Sequence, residues 1–461
     1  MIAPTIHAER RTRLAHTIDK PILLMGNGER PRNLPMSTVP FRQDSTFLYF
    51  TGCTIPGAAI LIENGESTIY LPQPAEDDAL WHGVSHTIEE MAQPLGFTKV
   101  KATDCLEQDA KKLSALETIA IPDLAQTLRA QKIYGDPLVY GQQNGSDALI
   151  DAIIQMRRIL SHEEVAEMQA TAVVTKAAHC AAMSITRPGV HEREVAAAFH
   201  NVVARAGLRT AYPSIVTVEG DVLHNFRYVN TAKSGQLLLL DGGAEATSGY
   251  ATDVTRTWPV SGTFNTQQRA AYQAVLSSQL AAIDMVRPGV RYRDIHMKAS
   301  QVLAEFLVDE GLLTCSAEDA LETGAHAIFF PHGVGHLLGL DVHDMENFGD
   351  RAGYPAHRHR SDQFGTGYLR LDLDLEPGMC VTIEPGFYVV SAILQDTSLR
   401  ERFHNQVDFD RALEWVGFGG IRIEDNVLVT TDDPHVISAA TPKSIDAVEA
   451  IVGQAPSPAA L

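Results

Sequence analysis

Cysteine is scarce in this chain. Only five of its 461 residues are cysteines: Cys53, Cys105, Cys180, Cys315 and Cys380. They are scattered, odd in number and never spaced as C-x-x-C, so neither a disulfide framework nor a zinc site built from thiolates is expected. Reduced, unpaired cysteines are typical of a cytoplasmic protein, and the sequence therefore predicts that location.

Long apolar runs and an excess of basic residues are also missing. Aliphatic runs are short, as in the four leucines at 237–240, and no apolar segment follows the arginines near the N-terminus. Neither a membrane span nor a signal peptide is therefore predicted. The 37 basic residues against 57 acidic ones give a net charge of −20. Such an acidic surface argues against nucleic acid and anionic membranes as partners.

The residues that are present indicate more than one domain, since a chain of this length predicts about two to three. Residues 36–72 read as strands with a hairpin signal, and helical patterns follow, so an α/β domain is predicted over 1–155. The capping-box sequence Ser161-His-Glu-Glu then opens a long alanine-rich helix. It marks the start of a second domain, predicted over 160–445. The small, Pro-rich residues of 446–461 predict a flexible tail.

The second domain contains an internal repeat. The tetrapeptide Arg-Pro-Gly-Val occurs at 187–190 and again at 287–290, each time after one helical pattern and before another. Further on, one glycine lies six residues before Asp241 and another lies six residues before Glu384. Each of these carboxylates ends a predicted strand. Two similar halves are therefore predicted, and each delivers one carboxylate from a strand end.

Each half then returns toward its carboxylate along a second strand. In the first half the returning strand carries Asp253. In the second half it carries Arg422, Glu424 and Asn426, which are expected on one face because side chains alternate along a strand. Between the halves lies the segment HGVGHLLGLDVHD, residues 332–344. The pattern predicts that carboxylates and histidines gather where the two halves meet.

Such a cluster would be costly without a cation, because like charges a few ångströms apart cannot all ionise and burying them unpaired costs several kcal/mol each. Two divalent metal ions remove that cost. Oxygen-rich ligands with one imidazole favour Mn²⁺ or Co²⁺ over a thiolate-type zinc site, with Zn²⁺ and Fe²⁺ still compatible. Two further histidines, His357 and His359, lie in a loop rich in His and Arg and are expected to be solvated.

Five segments resemble the metal-dependent aminopeptidase P and prolidase family: FRQDSTFLYFTG, DGGAEATSGYATDVTRT, HGVGHLLGLDVHD, TIEPGFY and GGIRIEDN. The resemblance implies an α/β N-terminal domain followed by an α+β pita-bread domain with an internal pseudo-two-fold repeat. It implies a dinuclear-metal exopeptidase, usually a dimer or tetramer, that cuts between an N-terminal residue and a following proline (an Xaa-Pro aminopeptidase). An Xaa-Pro dipeptidase (prolidase) is the alternative, and a metal-free binding module on the same fold is a remote one.

Carried over position by position, the resemblance implies three sets of residues. The metal ligands are Asp241, Asp253, His336, Glu384 and Glu424. The catalytic residues are His224, His332, His343, Glu384 and Arg422, with Glu384 as general base and His332 and His343 near the scissile peptide. The residues expected beside the substrate are Tyr212, Arg370 and Tyr388, of which Arg370 resembles the prolidase arginine that holds a dipeptide's carboxylate.

The chain departs from the family pattern at two places. Asp241 and Asp253 are twelve residues apart where the family usually has eleven. We expect the extra residue in the turn at 246–249, because inside the strand it would point Asp253 away from the site. Asn225 follows His224 where the family often has tyrosine, which concerns local substrate contacts and not the metal ligands.

Overall fold

The computed structural model describes residues 2–113 and 115–455, which form two compact units. The first unit contains the residues up to 157 together with 345–349, and the second contains 158–344 and the residues from 350 onward. Within the described ranges, no helix is long and apolar enough to cross a membrane.

The first unit is built around one mixed sheet. Its strands are β1 (Ile22–Met25), β2 (Ala59–Glu63), β3 (Glu66–Leu71), β4 (Lys99–Ala102) and β5 (Glu117–Thr118), in the spatial order β4-β3-β2-β1-β5. Its helices are α1 (Pro4–Thr17), α2 (Ser45–Thr51), α3 (Asp78–His82), α4 (Ile88–Ala92), α5 (Leu106–Ala110), α6 (Leu124–Tyr134) and α7 (Asp147–Arg157). Strands β2 and β3 form the predicted hairpin. Its turn residues, Asn64 and Gly65, both have positive φ, as a type I′ turn requires.

The prediction that residues 36–72 consist of strands is wrong for α2, which lies inside that range. The Asp44 side chain caps this helix by accepting a hydrogen bond from the Phe47 N–H at 2.9 Å. Gly52 ends it in the left-handed conformation, with φ of 63°. All seven helical side chains are buried, so the segment lacks the alternation of buried and exposed positions that separates a half-buried strand from a helix.

The second unit begins with two long helices, α8 (His162–Ile185) and α9 (Glu192–Arg205). Its remaining helices are α10 (Thr266–Asp284), α11 (Tyr292–Asp309), α12 (Ala317–Thr323), α13 (Asp350–Gly353), α14 (Ser391–Gln395), α15 (Thr397–Phe403), α16 (Phe409–Leu413) and α17 (Ile445–Glu449). The predicted capping box opens α8. The Ser161 hydroxyl accepts from the Glu164 N–H at 3.4 Å, and the Glu164 carboxylate accepts from the Ser161 N–H at 2.7 Å.

The strands of the second unit are β6 (Arg209–Thr210), β7 (Ile215–Thr217), β8 (Leu237–Asp241), β9 (Ala244–Glu245), β10 (Thr255–Pro259), β11 (Cys380–Ile383), β12 (Gly386–Tyr388), β13 (Gly420–Arg422), β14 (Asp425–Leu428) and β15 (His435–Val436). They form two three-stranded sheets, β10-β8-β7 and β11-β14-β15, and two pairs, β12-β13 and β6-β9. In each half an antiparallel pair, β8 with β10 or β11 with β14, ends beside one predicted carboxylate.

Equivalent hydrogen bonds in the two halves confirm the internal repeat. In the first Arg-Pro-Gly-Val turn, the Gly189 N–H donates to the Ala232 carbonyl at 2.8 Å. In the second, the Gly289 N–H donates to the Leu375 carbonyl, also at 2.8 Å. Each accepting residue lies five positions before a strand, β8 or β11, that leads to a predicted metal ligand. Both turns therefore fasten a helix pair to the entry of a ligand-bearing strand.

The C-terminal segment is more ordered than the flexible tail predicted over 446–461. Helix α17 buries Val448, and Val452 beyond it is 3% exposed. The backbone N–H of Ala455 donates to a carbonyl at the end of α8 at 2.8 Å. The prediction is therefore wrong as far as Ala455, because apolar side chains spaced four apart pack against the unit. The last six residues lie outside the described part of the chain.

Candidate metal centre and active site

The β8–β10 hairpin places Asp241 and Asp253 on one face. Asp241 pairs with Thr255 across the two strands, and the pairing continues without a bulge to Ala246, whose N–H donates to the Tyr250 carbonyl at 2.9 Å. The extra residue therefore lies in the tip loop, as predicted. Opposite residues of an antiparallel pair share a face, and so do residues two apart on one strand. Asp253 lies two residues before Thr255 and therefore faces the same way as Asp241.

Gly243 lies opposite Asp253 and allows the two strands to approach closely. A Cβ atom at this position would lie 1.7 Å from the Thr252 carbonyl oxygen, which no side chain can tolerate. The second glycine of the DGG sequence is thus required by the backbone packing that places the Asp253 carboxylate.

The second half delivers its carboxylates from two separate strands. Glu384 follows β11, and Glu424 lies in the two-residue break between β13 and β14. The predicted alternation nevertheless holds across this break. Ile421 and Ile423 are fully buried in the core, whereas the Arg422 side chain lies beside Asp241 and Glu384. The strand is interrupted because the Glu424 N–H donates to a carbonyl on β10, at 3.1 Å, instead of to a partner in its own sheet.

All five predicted ligands converge in one cluster. In each of three groups, one ligand atom per residue lies within 4.8 Å of the others: Asp253, His336 and His343; His336, Glu384 and Glu424; and Asp241, Asp253 and Glu424. His343 joins this cluster although it was not predicted as a ligand. Its ring lies 4.3 Å from the His336 ring, centroid to centroid. The motif HGVGHLLGLDVHD does not reveal this contact, because it depends on how the loop folds back.

The hydrogen bonds of His336 orient it for coordination. Its Nδ1 donates to the Leu337 carbonyl at 3.0 Å, so Nε2 faces the carboxylates, 3.4 Å from an Asp253 oxygen and 3.8 Å from a Glu384 oxygen. A carbonyl partner on one ring nitrogen is the usual way to fix the tautomer of a metal-binding histidine. Burial works to lower the pKa of His336, but the Asp253 hydrogen bond and charge outweigh it and raise that pKa to about 9.

The carboxylates cannot all ionise in this enclosure without a cation. Burial raises the pKa of Glu384 to about 7 and raises the pKa values of Asp241 and Glu424 as well. Burial also works to raise the pKa of Asp253, but the hydrogen bond with His336 reverses the shift and lowers it. A protonated histidine thus neutralises part of the cluster. This donor set, rich in oxygen with an oriented imidazole, fits divalent cations that prefer oxygen ligands.

Arg422 connects the cluster to a hydrogen-bond chain. Its guanidinium donates to Asp241 at 2.6 Å and, through Nη1, to the Tyr388 hydroxyl at 3.1 Å. The Tyr388 hydroxyl in turn donates to Nε2 of His332 at 2.9 Å. Tyr388 was expected beside the substrate, but its side chain is fully buried behind Arg422 and His332. Its hydroxyl positions Arg422 and His332.

Both ring nitrogens of His332 are engaged within the chain. Besides the bond to Tyr388, its Nδ1 donates to the Gly333 carbonyl at 2.8 Å. Burial lowers the pKa of His332 to about 3, so the ring is neutral, as these two bonds require. In this arrangement His332 has no N–H left for a substrate.

Tyr212 contacts two of the ligand carboxylates, and Arg256 holds the backbone that carries a third. The Tyr212 hydroxyl donates to Asp241 at 2.6 Å and also contacts the Asp253 carboxylate. Arg256, which sequence reasoning missed, donates to the Glu424 backbone carbonyl at 2.6 Å and to Asp425 at 2.8 Å. Side chains alternate along a strand, so Arg256 lies on the face opposite Asp253. This alternation was the one feature of the sequence that could have indicated that Arg256 supports the site from behind.

A cavity of about 830 Å³ opens beside the cluster. Apart from Tyr388, the predicted site residues line it: Tyr212, His224, Asp241, Asp253, His332, His336, His343, Arg370, Glu384, Arg422 and Glu424. Apolar side chains such as Ile215 and Phe226 complete the wall. His357 and His359 are exposed and absent from this lining, which confirms that they are solvated.

Replacing Tyr388 by phenylalanine tests the hydrogen-bond chain. We expect kcat to fall about 10- to 100-fold, since Arg422 and His332 each lose the partner that orients them. The matched control is Tyr272→Phe, because the equally buried Tyr272 donates at 2.8 Å to the Lys443 carbonyl and not to a site residue. Steady-state kinetics with saturating metal would measure both. An unchanged kcat in Tyr388→Phe would contradict the assigned role.

The fold and the cluster together define a metallohydrolase, and comparison with known proteins identifies its family. Residues 166–431, more than half of the chain, match the family described as "Metallopeptidase family M24", and residues 7–120 match "Aminopeptidase P, N-terminal domain". The chain belongs to metallopeptidase family M24.

Individual relatives cover nearly the whole chain. A probable Xaa-Pro aminopeptidase of Coccidioides posadasii is 32% identical over 449 residues, 94% of this chain and 92% of that protein. The Xaa-Pro dipeptidase of Homo sapiens is 30% identical over 454 residues, 93% of this chain and 88% of that protein. The structure of Zn-substituted E. coli aminopeptidase P in complex with product superposes with a TM-score of 0.81 at 25% identity, covering 98% of both chains.

Proposed function

We propose that this chain is an Xaa-Pro aminopeptidase, a dinuclear-metal exopeptidase that hydrolyses the bond between an N-terminal residue and a following proline. The convergence of five ligand-type side chains at the wall of one large cavity carries the proposal. The names of several relatives support the proline specificity. A metal-free binding module is disfavoured, because it would have no need for buried carboxylates that repel one another.

Two divalent ions would be held by overlapping sets of residues. Asp241, Asp253 and Glu424 form one set, and His336, Glu384 and Glu424 form the other. We propose Mn²⁺ as the physiological ion, with Co²⁺ and Zn²⁺ as alternatives, because oxygen ligands outnumber the imidazole. When bound, such ions supply Lewis-acid polarisation of the peptide carbonyl and ease the deprotonation of water.

The chain's own residues would then move protons and hold the substrate. Glu384, which lies on the cavity wall within the ligand cluster, is suited to take the proton of the attacking water and return it to the leaving proline nitrogen. Burial lowers the pKa of His343 to about 3, so its ring is a neutral partner on the cavity wall. Because both nitrogens of His332 are engaged, we assign the hydrogen bond to the developing oxyanion to His343.

The alternative is an Xaa-Pro dipeptidase, and Arg370 favours it. Its exposed side chain lines the cavity, where a guanidinium can pair with the C-terminal carboxylate of a dipeptide. The human relative named Xaa-Pro dipeptidase gives this alternative further support. A homo-oligomer, either a dimer or a tetramer, remains a prediction that light scattering on purified protein tests. The cytoplasmic location also remains a prediction.

Gly-Pro and a longer peptide such as Arg-Pro-Pro, assayed side by side with Mn²⁺, test the proposal. We expect the longer peptide to be cut after its first residue, which is the aminopeptidase reaction. Cleavage of the dipeptide alone would establish the dipeptidase. If neither peptide is cut with any divalent ion, the proline specificity is wrong.

Arg370→Ala separates the two substrates further. If Arg370 pairs with a terminal carboxylate, kcat/KM for Gly-Pro should fall about 10- to 100-fold, equivalent to a lost charge-assisted hydrogen bond of about 1.5–3 kcal/mol. The longer peptide has its carboxylate elsewhere, so its kcat/KM should fall less than about threefold. Equal losses for both substrates would show that Arg370 does not read the carboxylate.

A further inference from the structure

The segment 218–230 forms part of the cavity wall and places two of its rings there. His224 and Phe226 both line the cavity, and their rings lie parallel, with an angle of 3° and a centroid distance of 6.2 Å. Both side chains are exposed outside the core. Asn225 between them turns inward, where it is 3% exposed.

The Asn225 amide is fully occupied by the flanks of this same segment. Its Nδ2 donates to the Thr217 hydroxyl at 3.1 Å and to the Glu219 carboxylate at 3.2 Å. Its Oδ1 accepts from the Arg227 N–H at 3.3 Å. Thr217 is the last residue of β7, in the sheet that also holds Asp241. The asparagine therefore ties the segment to the sheet that carries a metal-ligand candidate.

The two ends of the segment are held separately. At the first end Gly220 packs on Gly420, where an added Cβ would lie 2.7 Å from the Gly420 carbonyl oxygen. At the other end the Tyr228 hydroxyl donates to the Ser214 carbonyl, and Tyr228 itself has a φ of 46°. Among residues 221–227, all of which the structure describes, Asn225 alone is buried. It is thus the one buried side chain in this stretch, and its hydrogen bonds hold the middle of the segment.

We propose that Asn225 is a positioning residue that holds His224 and Phe226 in the cavity wall, so that both rings meet the substrate in a fixed orientation. Where the family often has a tyrosine, this chain uses a short amide whose two donors bind Thr217 and Glu219 and whose oxygen accepts from Arg227. An unanchored segment would have to be ordered each time a substrate binds, which weakens both binding and catalysis. The role in catalysis rests on the proposed function.

The test compares wild type, Asn225→Ala, His224→Ala and the double variant, with Val229→Ala as control. Val229 is 57% exposed in the same segment and does not line the cavity. Hydrogen exchange of residues 218–230 is measured alongside kcat and KM for an Xaa-Pro peptide with saturating Mn²⁺. We expect Asn225→Ala to speed exchange in the segment about tenfold and to lower kcat/KM about 10- to 100-fold, without weakening Mn²⁺ binding.

Because Asn225 acts through its neighbours, its effect should largely vanish when His224 is already gone. Adding Asn225→Ala to His224→Ala should therefore cost less than about threefold more. Multiplicative losses, or unchanged exchange in Asn225→Ala, would overturn the proposal. Asn225→Asp, which keeps the size but loses both N–H donors beside Glu219, should match Asn225→Ala. If wild type cuts no Xaa-Pro peptide, the proposed function fails, while the exchange data still decide whether Asn225 is the anchor.

Discussion

Replacing Glu424 by glutamine is expected to abolish metal binding and lower kcat/KM about a thousand-fold, while the metal-free protein stays as stable as wild type. Glu424 belongs to two of the three ligand groups, so both ions depend on it. Losing them removes several kcal/mol of transition-state stabilisation, and about 4 kcal/mol corresponds to a thousand-fold in rate.

The stability of the metal-free variant follows from electrostatics. Burial raises the pKa of Glu424 well above its usual range, and repulsion from Asp253 and Glu384 adds to the shift. Its side chain is therefore protonated without metal, and glutamine mimics that neutral form. The hydrogen bond from the Thr255 hydroxyl, at 2.7 Å, can be kept by the amide oxygen.

Thermal unfolding with and without Mn²⁺, together with peptidase kinetics, measures both effects. Wild type should be stabilised by metal, whereas Glu424→Gln should unfold at one temperature in either condition. Glu401→Gln is the matched control, because Glu401 is an exposed residue of α15 outside the cavity. A Glu424→Gln enzyme that keeps a tenth of wild-type activity would contradict the ligand assignment.

Of the substitutions considered, removal of the buried Arg256 is expected to lower the free energy of unfolding most. Arg256 and Asp425 are both fully buried, with 2.8 Å between their charged atoms. Burial works to raise the pKa of Asp425, but Arg256 and Lys443 outweigh it and lower that pKa to about 2. Arg256→Met leaves this carboxylate buried with one cation fewer, which typically costs about 3–5 kcal/mol.

Urea unfolding of Arg256→Met, Asp425→Asn and the double variant measures this cost. If the two residues act as a pair, the double variant should lose less free energy of unfolding than the sum of the single losses. Additive losses would show that the pair does not interact. Because Arg256 also holds the Glu424 carbonyl, we expect Arg256→Met to weaken metal binding about 10- to 100-fold, as loss of an outer support does.

Much of the site could be predicted because it lies at strand ends. The spacing of glycines before Asp241 and Glu384 marks the two ligand-bearing strands, and the parity of Arg422 and Glu424 survives even a break between β13 and β14. The extra residue of the first hairpin could be placed in the turn, since any other position would have rotated Asp253 away. Local periodicity carries all of this information.

The rest depends on tertiary contacts that no local pattern records. The apolar run of α2 lacks alternation, so its capping by Asp44 decides between helix and strand. Tyr388 could be placed near the site, but not behind Arg422, because its hydroxyl bonds residues far away in sequence. In the sequence, Arg256 looks like any other arginine of a strand. Its role depends on the residues that pack over it in the folded chain.

The most direct test of the account is a titration of Mn²⁺ into chelator-treated protein, with bound metal and Xaa-Pro hydrolysis followed together. We predict no hydrolysis without metal, saturation at two ions per chain, and a rising unfolding temperature, since an ion at a hundred times its Kd adds about 2.7 kcal/mol to the stability of the folded state. Hydrolysis that persists in the metal-free protein, or saturation of binding and activity at one ion per chain, would contradict the dinuclear metal centre.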